Sequence, residues 1–474
     1  MPIPNILQTG HSGLMAAKGG IATAGHNIAN ANTEGFSRQR VTTEATEPRG
    51  SLYGNRVFGT GTKLSRVDRF NDEYLEKQIR NSNRDLSYHE EKEVSLKQVE
   101  DIFNEMNGDG LNRLLSKFFN EFRKLSNEPE SPAIRQSVKE SSQAMVNDFH
   151  RLRSELDSVR RHMDSRIEGC VSEINSLVKE IADQNDSIKL VEITGGSPND
   201  LLDKRDLALK KLGSYFDISA RLDNKHNLTV DLRGIGPLVS AKESQTLSVE
   251  RTQADDRGKV AQAADIRFSG SSSQVITHQI KTGKLGALLE VRDQYLSNMA
   301  ERLDELAYSL VKSVNDIHAT GVTPSGATGV MFFKPLDQKD RASEFISLSH
   351  EISAGAHNIA TAMTSDAPGD NRIPLAISKL QTDRVVDQNT ATLEDFYNSI
   401  VSGVGVNLSR NRFDMNQQKD IMSQLSKLRE QISGVSIDEE TTLLLQFQHA
   451  FDASAKVIQV ADEMLKEILS LGRW

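Results

Sequence analysis

The sequence predicts a mainly α protein: a long helical bundle or coiled coil built from both chain termini and a helical middle, with a small β-rich insertion domain. Three observations carry this. Residues 436–469 hold two columns at seven-residue spacing, Leu444, Phe451, Ile458 and Leu465, and, offset by three, Phe447, Ser454, Ala461 and Ile468. That offset is the a/d seam of a coiled coil. The N-terminal stretch repeats it, with Leu7, Leu14, Ile21 and Ile28 in one column and Gly10, Ala17, Ala24 and Ala31 in the other. The whole chain is only 5% aromatic and 26% charged, which suits long helices with solvated faces.

The first helix spans 3–31. Residues 1–33 contain Lys18 and no Asp or Glu, and Gly10, Gly13, Gly19, Gly20 and Gly25 lie inside the helix. Each glycine costs about 1 kcal/mol of helix propensity against alanine. The helix therefore needs close neighbours, and its small residues are holes for the Phe and Leu knobs of the last helix. The termini pair with each other or with copies from neighbouring chains; periodicity alone also allows two ordinary core-facing helices.

Asn27, Asn30 and Asn32 follow, as turn formers or as hydrogen-bonding groups for a neighbouring subunit, and Gly35 suits a turn with positive φ. Gly50, Gly54, Gly59 and Gly61 among β-formers predict a small hairpin over 48–68. Phe58 to Lys63 lacks the spacing of a phosphate loop.

Helices are expected over 71–104 and 111–125, with a break at Asn107-Gly108-Asp109-Gly110. Ser131 and Pro132 start a very long helix, 133–193, about 90 Å at 1.5 Å per residue. Its heptad columns are Ile167, Ile174, Ile181, Ile188 and Cys170, Leu177, Gln184, Val191, which makes Cys170 a small buried apolar residue. Asp203 and Asp206 lie beside Lys204 and Arg205 and read as structural ion pairs rather than an acid–base pair. Tyr215–Ser219, Leu228–Leu232 and Gln274–Thr277 read as strands, with Thr252–Gln262 a mobile loop. Helix returns from Thr282 to about Ala319, residues 320–375 are mixed, and 392–432 is helical. Ser436 and Glu439 form a capping box for the last helix, where Asp438, Glu439 and Glu440 also favour the helix dipole. The domain expectation is 1–70 and 390–474 as the two halves of a terminal coiled coil, 71–213 as a long-helix domain, 214–278 as the β-rich insertion, and 279–389 as the return helix and mixed part.

A net charge of -9 spread along the chain, without a basic stripe, argues against nucleic acid. The single cysteine excludes an intrachain disulfide and a multi-Cys metal site. No run approaches 18 apolar residues, so no membrane insertion is expected. The N-terminus lacks a basic region followed by an apolar run, so export is expected without a signal peptide of that kind. The histidines have no metal spacing, and His350-Glu351 lacks the second histidine of H-E-x-x-H. Ser176 and Lys179 fit S-x-x-K, a pattern common by chance and here on a charged helix. No cofactor motif and no catalytic constellation emerges.

Residues 24–39, AGHNIANANTEGFSRQ, resemble the N-terminal signature of the flagellar rod, hook and hook-associated axial proteins. SGVSIDEE at 433–440 and FQHAFDASAKVI at 447–458 are similar to the C-terminal signature of that family, and SPNDLLDKRD at 197–206 and TGKLGALLEVRD at 282–293 resemble parts of its hook-associated members. Phe36 and Phe451 stand where many relatives carry tyrosine. The resemblance covers both ends, the helical middle moderately and the β insertion hardly at all.

The resemblance implies a structural subunit at the junction of hook and filament, outside the cell, with the terminal helices lining the core of a tube. It implies itself as partner in a ring or tubular homo-oligomer, together with the hook protein and a second hook–filament junction protein. It also implies a dedicated FlgN-like export chaperone covering Phe447, Phe451 and Ile458 before assembly. The alternatives are another axial subunit of hook or rod type, or a non-flagellar coiled-coil adaptor. The glycine-rich first helix and the seam of the last predict termini that stay unpaired during export and zip together on assembly.

Overall fold

The structure is a computed structural model that describes residues 3–471 apart from 48, 51–56, 104–109, 223–226, 252–263, 270–274, 366 and 368. Gly54, Asn107 to Asp109, the expected Thr252–Gln262 loop and Gln274 thus lie outside the described residues. In chain order come α1 (Ile3–Ala29), β1 (Gln39–Ala45), β2 (Arg49–Gly50), β3 (Val57–Phe58), β4 (Thr62–Arg69), α2 (Glu73–Ile102), α3 (Leu111–Asn127), α4 (Pro132–Ile193) and α5 (Asn199–Gly213). Then follow β5 (Ile218–Leu222), β6 (Leu228–Leu232), β7 (Gly236–Ser240), β8 (Glu243–Ser244), β9 (Leu247–Arg251) and β10 (Ala264–Phe268). The chain closes with α6 (Gly283–Glu290), α7 (Ser297–His318), α8 (Ala342–Phe345), α9 (His350–Ala354), α10 (Arg372–Lys379), α11 (Leu393–Ser433) and α12 (Ile437–Leu471).

Local chemistry starts the helices. Asp72 accepts from the N–H groups of Tyr74 (2.9 Å) and Leu75 (3.1 Å), capping α2. Ser131 caps α4, with Pro132 at its first position, where the missing N–H is no loss. Thr392 accepts from Asp395 N–H at 3.1 Å and starts α11.

The apolar residues form two cores. The first gathers α3, the first half of α4, α7, α10 and α11, with Phe118, Phe119 and Phe122 of α3 meeting Phe332 and Phe333. Several of these rings stand edge to face, as at Phe118–Phe119 (5.1 Å) and Phe332–Phe333 (4.9 Å), the arrangement that sets a positive ring edge on a negative ring face. The second core joins the second half of α4 to α5, α6 and the strands. On α4 the column Ile167, Ile174, Ile181, Ile188 is buried, its first three members in this core, while Cys170, Leu177, Gln184 and Val191 are only half-buried. Cys170 is therefore at the rim of the core, and burial pushes its thiol up to about 11.

Between the cores lies a belt of buried charge. Arg292, almost wholly buried, donates to Asp164 Oδ1 (2.8 Å) and Ala264 O (2.9 Å) and pairs with Asp293. Lys92 pairs with Glu290 at 2.8 Å. Here the expected return helix is interrupted: residues Val291–Leu296 between α6 and α7 are a π-helical segment. Such widened turns re-aim side chains within a helix.

The insertion holds an antiparallel sheet in the order β5-β6-β7-β8 and a β9–β10 pair. Two strand boundaries differ from the sequence reading. Tyr215 and Phe216 belong to the turn that closes α5, where Tyr215 N–H bonds Leu212 O, and the strand begins at Ile218. Val275 makes a single bridge to Arg267, and Thr277–Gln279 is a 3-10 turn rather than strand. Thr277 Oγ1 accepts from Ile266 N–H and donates to Asp265, which bends the chain out of the ladder. At the other end of the molecule, β1 pairs with β4 against α1, and α1 lies along α12.

Candidate assembly interface

The paired termini form one site built from α1, the 30–38 turn, the β1–β4 hairpin, the start of α5 and the start of α12. The two long helices run antiparallel in one continuous register. A Cβ added at Gly10 would lie 2.8 Å from Ile458 Cγ1, one at Gly13 would lie 2.7 Å from Ser454 Oγ, and one at Gly20 would lie 2.5 Å from Phe447 Cδ1. Those glycines are therefore the holes into which α12 inserts. Gly10, Ala17, Gly20 and Ala24 are buried, whereas Leu7, Leu14, Ile21 and Ile28 are half-buried. On α12, Leu444, Phe447, Phe451, Ile458 and Leu465 are half-buried, and Ala461 is fully buried.

Ile468 departs from its column. It is 57% exposed, because the register that sets Gly10 on Ile458 carries α12 past the beginning of α1 before Ile468 is reached. Leu445, Val457, Val460 and Met464 are exposed as well, Val457 at the edge of the contact, where a Cβ added at Gly10 would lie 3.3 Å from its Cγ1.

The hairpin covers a second side of α1. A Cβ at Gly19 would collide with Leu64 Cδ1, and Ser12 Oγ accepts from Thr62 N–H at 3.2 Å.

The asparagines of the signature have three different placements. Asn27 is buried: its Nδ2 donates to Gln39 O (2.8 Å) and Glu440 Oε2 (3.0 Å), and its Oδ1 accepts from Gln39 N–H (3.0 Å). It is neither a turn former nor, in this arrangement, a group offered to another subunit. Asn30 donates to His26 O at 3.0 Å and accepts from Thr33 Oγ1, so α1 ends at Ala29 rather than at residue 31. Asn32 is exposed. Gly35 has φ +84°, and a Cβ there would also crowd Leu207.

Half of the expected capping box forms. Ser436 Oγ accepts from Glu439 N–H at 3.4 Å. The Glu439 carboxylate does not return to the backbone of Ser436; it accepts from Arg38 Nη1 at 2.8 Å. Arg38 Nε also donates to Glu440 Oε1 at 2.7 Å, and Arg38 N–H donates to Ser433 O at 3.0 Å. A guanidinium offers planar, directed N–H donors, so it outcompetes an exposed amide for this carboxylate.

The SPNDLLDKRD segment locks the turn to the body. Gln39 Nε2 donates to Asp200 Oδ1 at 2.7 Å, and Ser37 N–H donates to Asp203 Oδ2 at 2.9 Å. Asp203 and Asp206 are ion-paired, but with Arg69 of β4 at 2.9 and 2.7 Å rather than with Lys204 or Arg205. Arg205 turns inward to Asn185 Oδ1. Burial pushes the Asp203 carboxyl above its ordinary value, even with the Ser37 and Arg69 donors. Burial pulls the Arg69 guanidinium down, and Asp206 and Asp203 outweigh it and hold it above its usual range.

Sequence reasoning missed Glu440, Arg38 and Arg69. The first two were visible only as a helix-dipole charge and as a residue of the 24–39 signature, and they lie some four hundred positions apart. Among the described residues, no three His, Cys, Asp or Glu side chains gather where a metal ion would fit, and no helix is long and apolar enough to cross a membrane.

Comparison with known proteins places this geometry. A profile for the flagellar hook-associated protein FlgK helical domain matches residues 96–333, half of the chain. Profiles for the flagella basal body rod protein and for the flagellar basal body rod FlgEFG protein C-terminal region match residues 7–36 and 430–471, the two helices of the pair. Flagellar hook-associated protein 1 of Bacillus subtilis is 28% identical over 502 residues, covering 98% of this chain and 97% of its own. The protein of that name from Escherichia coli K12 is 23% identical over 549 residues, covering 98% and 100%. The solved structure of the flagellar hook junction protein FlgK from Burkholderia pseudomallei aligns with TM-score 0.66 at 17% identity, covering 75% of this chain and all of that one. The chain belongs to the family of the flagellar hook-associated protein FlgK.

Proposed function

We propose that this chain is a structural subunit of the bacterial flagellum, placed at the junction between hook and filament, and that it polymerises through its paired terminal helices. The observation that carries the reading is the unfinished burial of α12. Its seam residues Leu444, Phe447, Phe451, Ile458 and Leu465 are only half-covered by α1, and Leu445, Val457, Val460 and Met464 remain exposed. An apolar surface of this kind marks an interaction site. Neighbouring copies in a ring or tube supply the missing cover.

The partners follow from the same surface. In the assembled state they are further copies, the hook protein on one side and a second hook–filament junction protein on the other. Before assembly a FlgN-like export chaperone shields Phe447, Phe451 and Ile458. The termini stay apart during export from the cytoplasm, and pairing at the growing end buries large apolar groups, each worth about 1.5–3 kcal/mol. The role is structural, and no catalytic step is part of it.

The test is the double variant Phe451→Asp, Ile458→Asp, assayed for chaperone binding and for polymerisation on isolated hook ends. Both are expected to be lost while the helical body keeps its melting temperature. Survival of both would overturn the seam assignment. Protease-resistant termini in the free monomer would overturn pairing on assembly.

A further inference from the structure

We infer that the buried cluster of Asn27, Glu440 and Arg38 sets the register of the α1–α12 pair, rather than merely strengthening it. The inference rests on the reading that these two helices pair in the working subunit.

The apolar part of the seam leaves the register open. On α1 the positions in closest contact are Gly13, Gly20 and Asn27, each seven residues from the next; on α12 they are Ser454, Phe447 and Glu440, with the same spacing. A slide of one heptad, roughly 10 Å along the axis, would put Phe447 against Gly13, another position that opposes it with no side chain. The rest of the small column, Gly10, Ala17 and Ala24, is equally permissive, since each position resembles the one a heptad away. A seam of repeated small residues facing repeated large ones fits several alignments nearly as well.

The third rung does not repeat. Asn27 and Glu440 are each 1% exposed, and both are fully engaged with each other, with Gln39 and with Arg38. A slide one way sets Phe447 on the Asn27 amide. A slide the other way sets the Glu440 carboxylate on Gly20 and takes Asn27 away from its partner. Either leaves a buried polar group without its hydrogen bonds, which costs far more than the bonds themselves contribute when made. Fixing register is the best-attested use of a buried polar pair in an otherwise apolar helix seam.

Arg38 ties the rung to the rest of the chain. It joins Glu439 and Glu440 to the start of β1, and through the neighbouring Ser37–Asp203 bond the chosen register is passed to α5 and the helical body. A weakly helical first terminus that meets α12 late would thus lock at one alignment only.

The experiment uses the full chain with Cys170→Ala and engineered cysteine pairs, in the free protein and in polymers grown on hook ends. Gly13→Cys with Ser454→Cys reports the native register, since the Cβ separation of 3.5 Å lies within the range of about 3.5–4.5 Å that a disulfide takes. Ile6→Cys with Ser454→Cys, and Gly13→Cys with Ala461→Cys, report a slide of one heptad in either direction. Non-reducing gels separate bonds within a chain from bonds between chains by mass. With the cluster intact, only the 13–454 bond is expected to form. With Asn27→Ala and Glu440→Ala together, the 13–454 bond should weaken and a shifted bond should form, and Glu440→Gln, which keeps the acceptor, should restore the native bond. An unchanged 13–454 bond in the double variant overturns the inference. So does loss of that bond with no shifted one, which would make the cluster a source of stability only. Absence of the 13–454 bond with the cluster intact, in both free protein and polymer, would instead overturn the pairing itself.

Discussion

The aromatic core of the helical body and the α1–α12 pair both rest on the apolar faces of amphipathic helices, yet they end in opposite states. Phe118, Phe119, Phe122, Phe332 and Phe333 are wholly buried against one another. On α12, Phe447 and Phe451 are half-buried, and among the described residues no large apolar side chain of that helix is fully covered. The body completes its burial within one chain, while the termini stop short. The difference lies in what each helix faces. The body helices pack in several layers, whereas α12 has essentially a single helix beside it, and that helix is rich in glycine and alanine. A two-helix contact can cover only a stripe of each surface, so the remainder is left for other chains.

The contrast can be broken most forcefully in the body. Phe118→Ala removes a ring that meets Phe119, Phe122, Phe332 and Phe333. It should cost about 3–5 kcal/mol of body stability, read by chemical denaturation. An equal loss from Phe447→Ala in the free monomer would erase the distinction between body and termini. A second route is acid. His318 is buried and neutral, donating from Nδ1 to Val330 O (2.7 Å) and accepting at Nε2 from Ala360 N–H (3.0 Å). Burial, reinforced by the charge of Arg135, lowers its pKa from 6.5 to about 4. Because the unfolded chain binds this proton more readily, stability is complete above pH 6.5 and falls as pH drops toward 4, by about 3 kcal/mol. Melting temperatures across that window should fall more steeply for the natural chain than for His318→Gln.

Gly20→Val separates the regions in the other direction. The new side chain would collide with the Phe447 ring, so polymerisation should fail while the denaturation midpoint of the body stays unchanged. The smallest effect is at the cap: Ser436→Ala should cost about 0.5–1 kcal/mol of α12 stability, seen as faster amide exchange over residues 437–441 and nowhere in the body.

Much of the body was legible because its signals are local. Ser131-Pro132 starts α4, and the Ile167 column marks the face that is buried. Of the strand expected at Gln274–Thr277, the described residues give one bridge at Val275 and a turn from Thr277, because β-branched residues suit both a strand and a tight turn, and the bonds of Thr277 decided between them. The π-helical segment left no trace in the pattern, since it answers to Arg292 reaching Asp164 across the belt. At the termini, periodicity marked the two helices and their small and large faces. It did not mark Glu440, whose charge looks like any acid in a first helical turn.

Taken alone, the sequence determined which segments are helices, which faces are apolar, and that the two ends complement each other in size. Those properties depend on the order of residues along a few turns. Only the tertiary structure decided that the helices run antiparallel within one chain, that Arg38 takes the carboxylate expected to complete the cap, and that Asn27 meets Glu440. Each of these is a competition among partners far apart in the chain, and it is settled by which donor and acceptor are brought within hydrogen-bonding distance once water has been excluded.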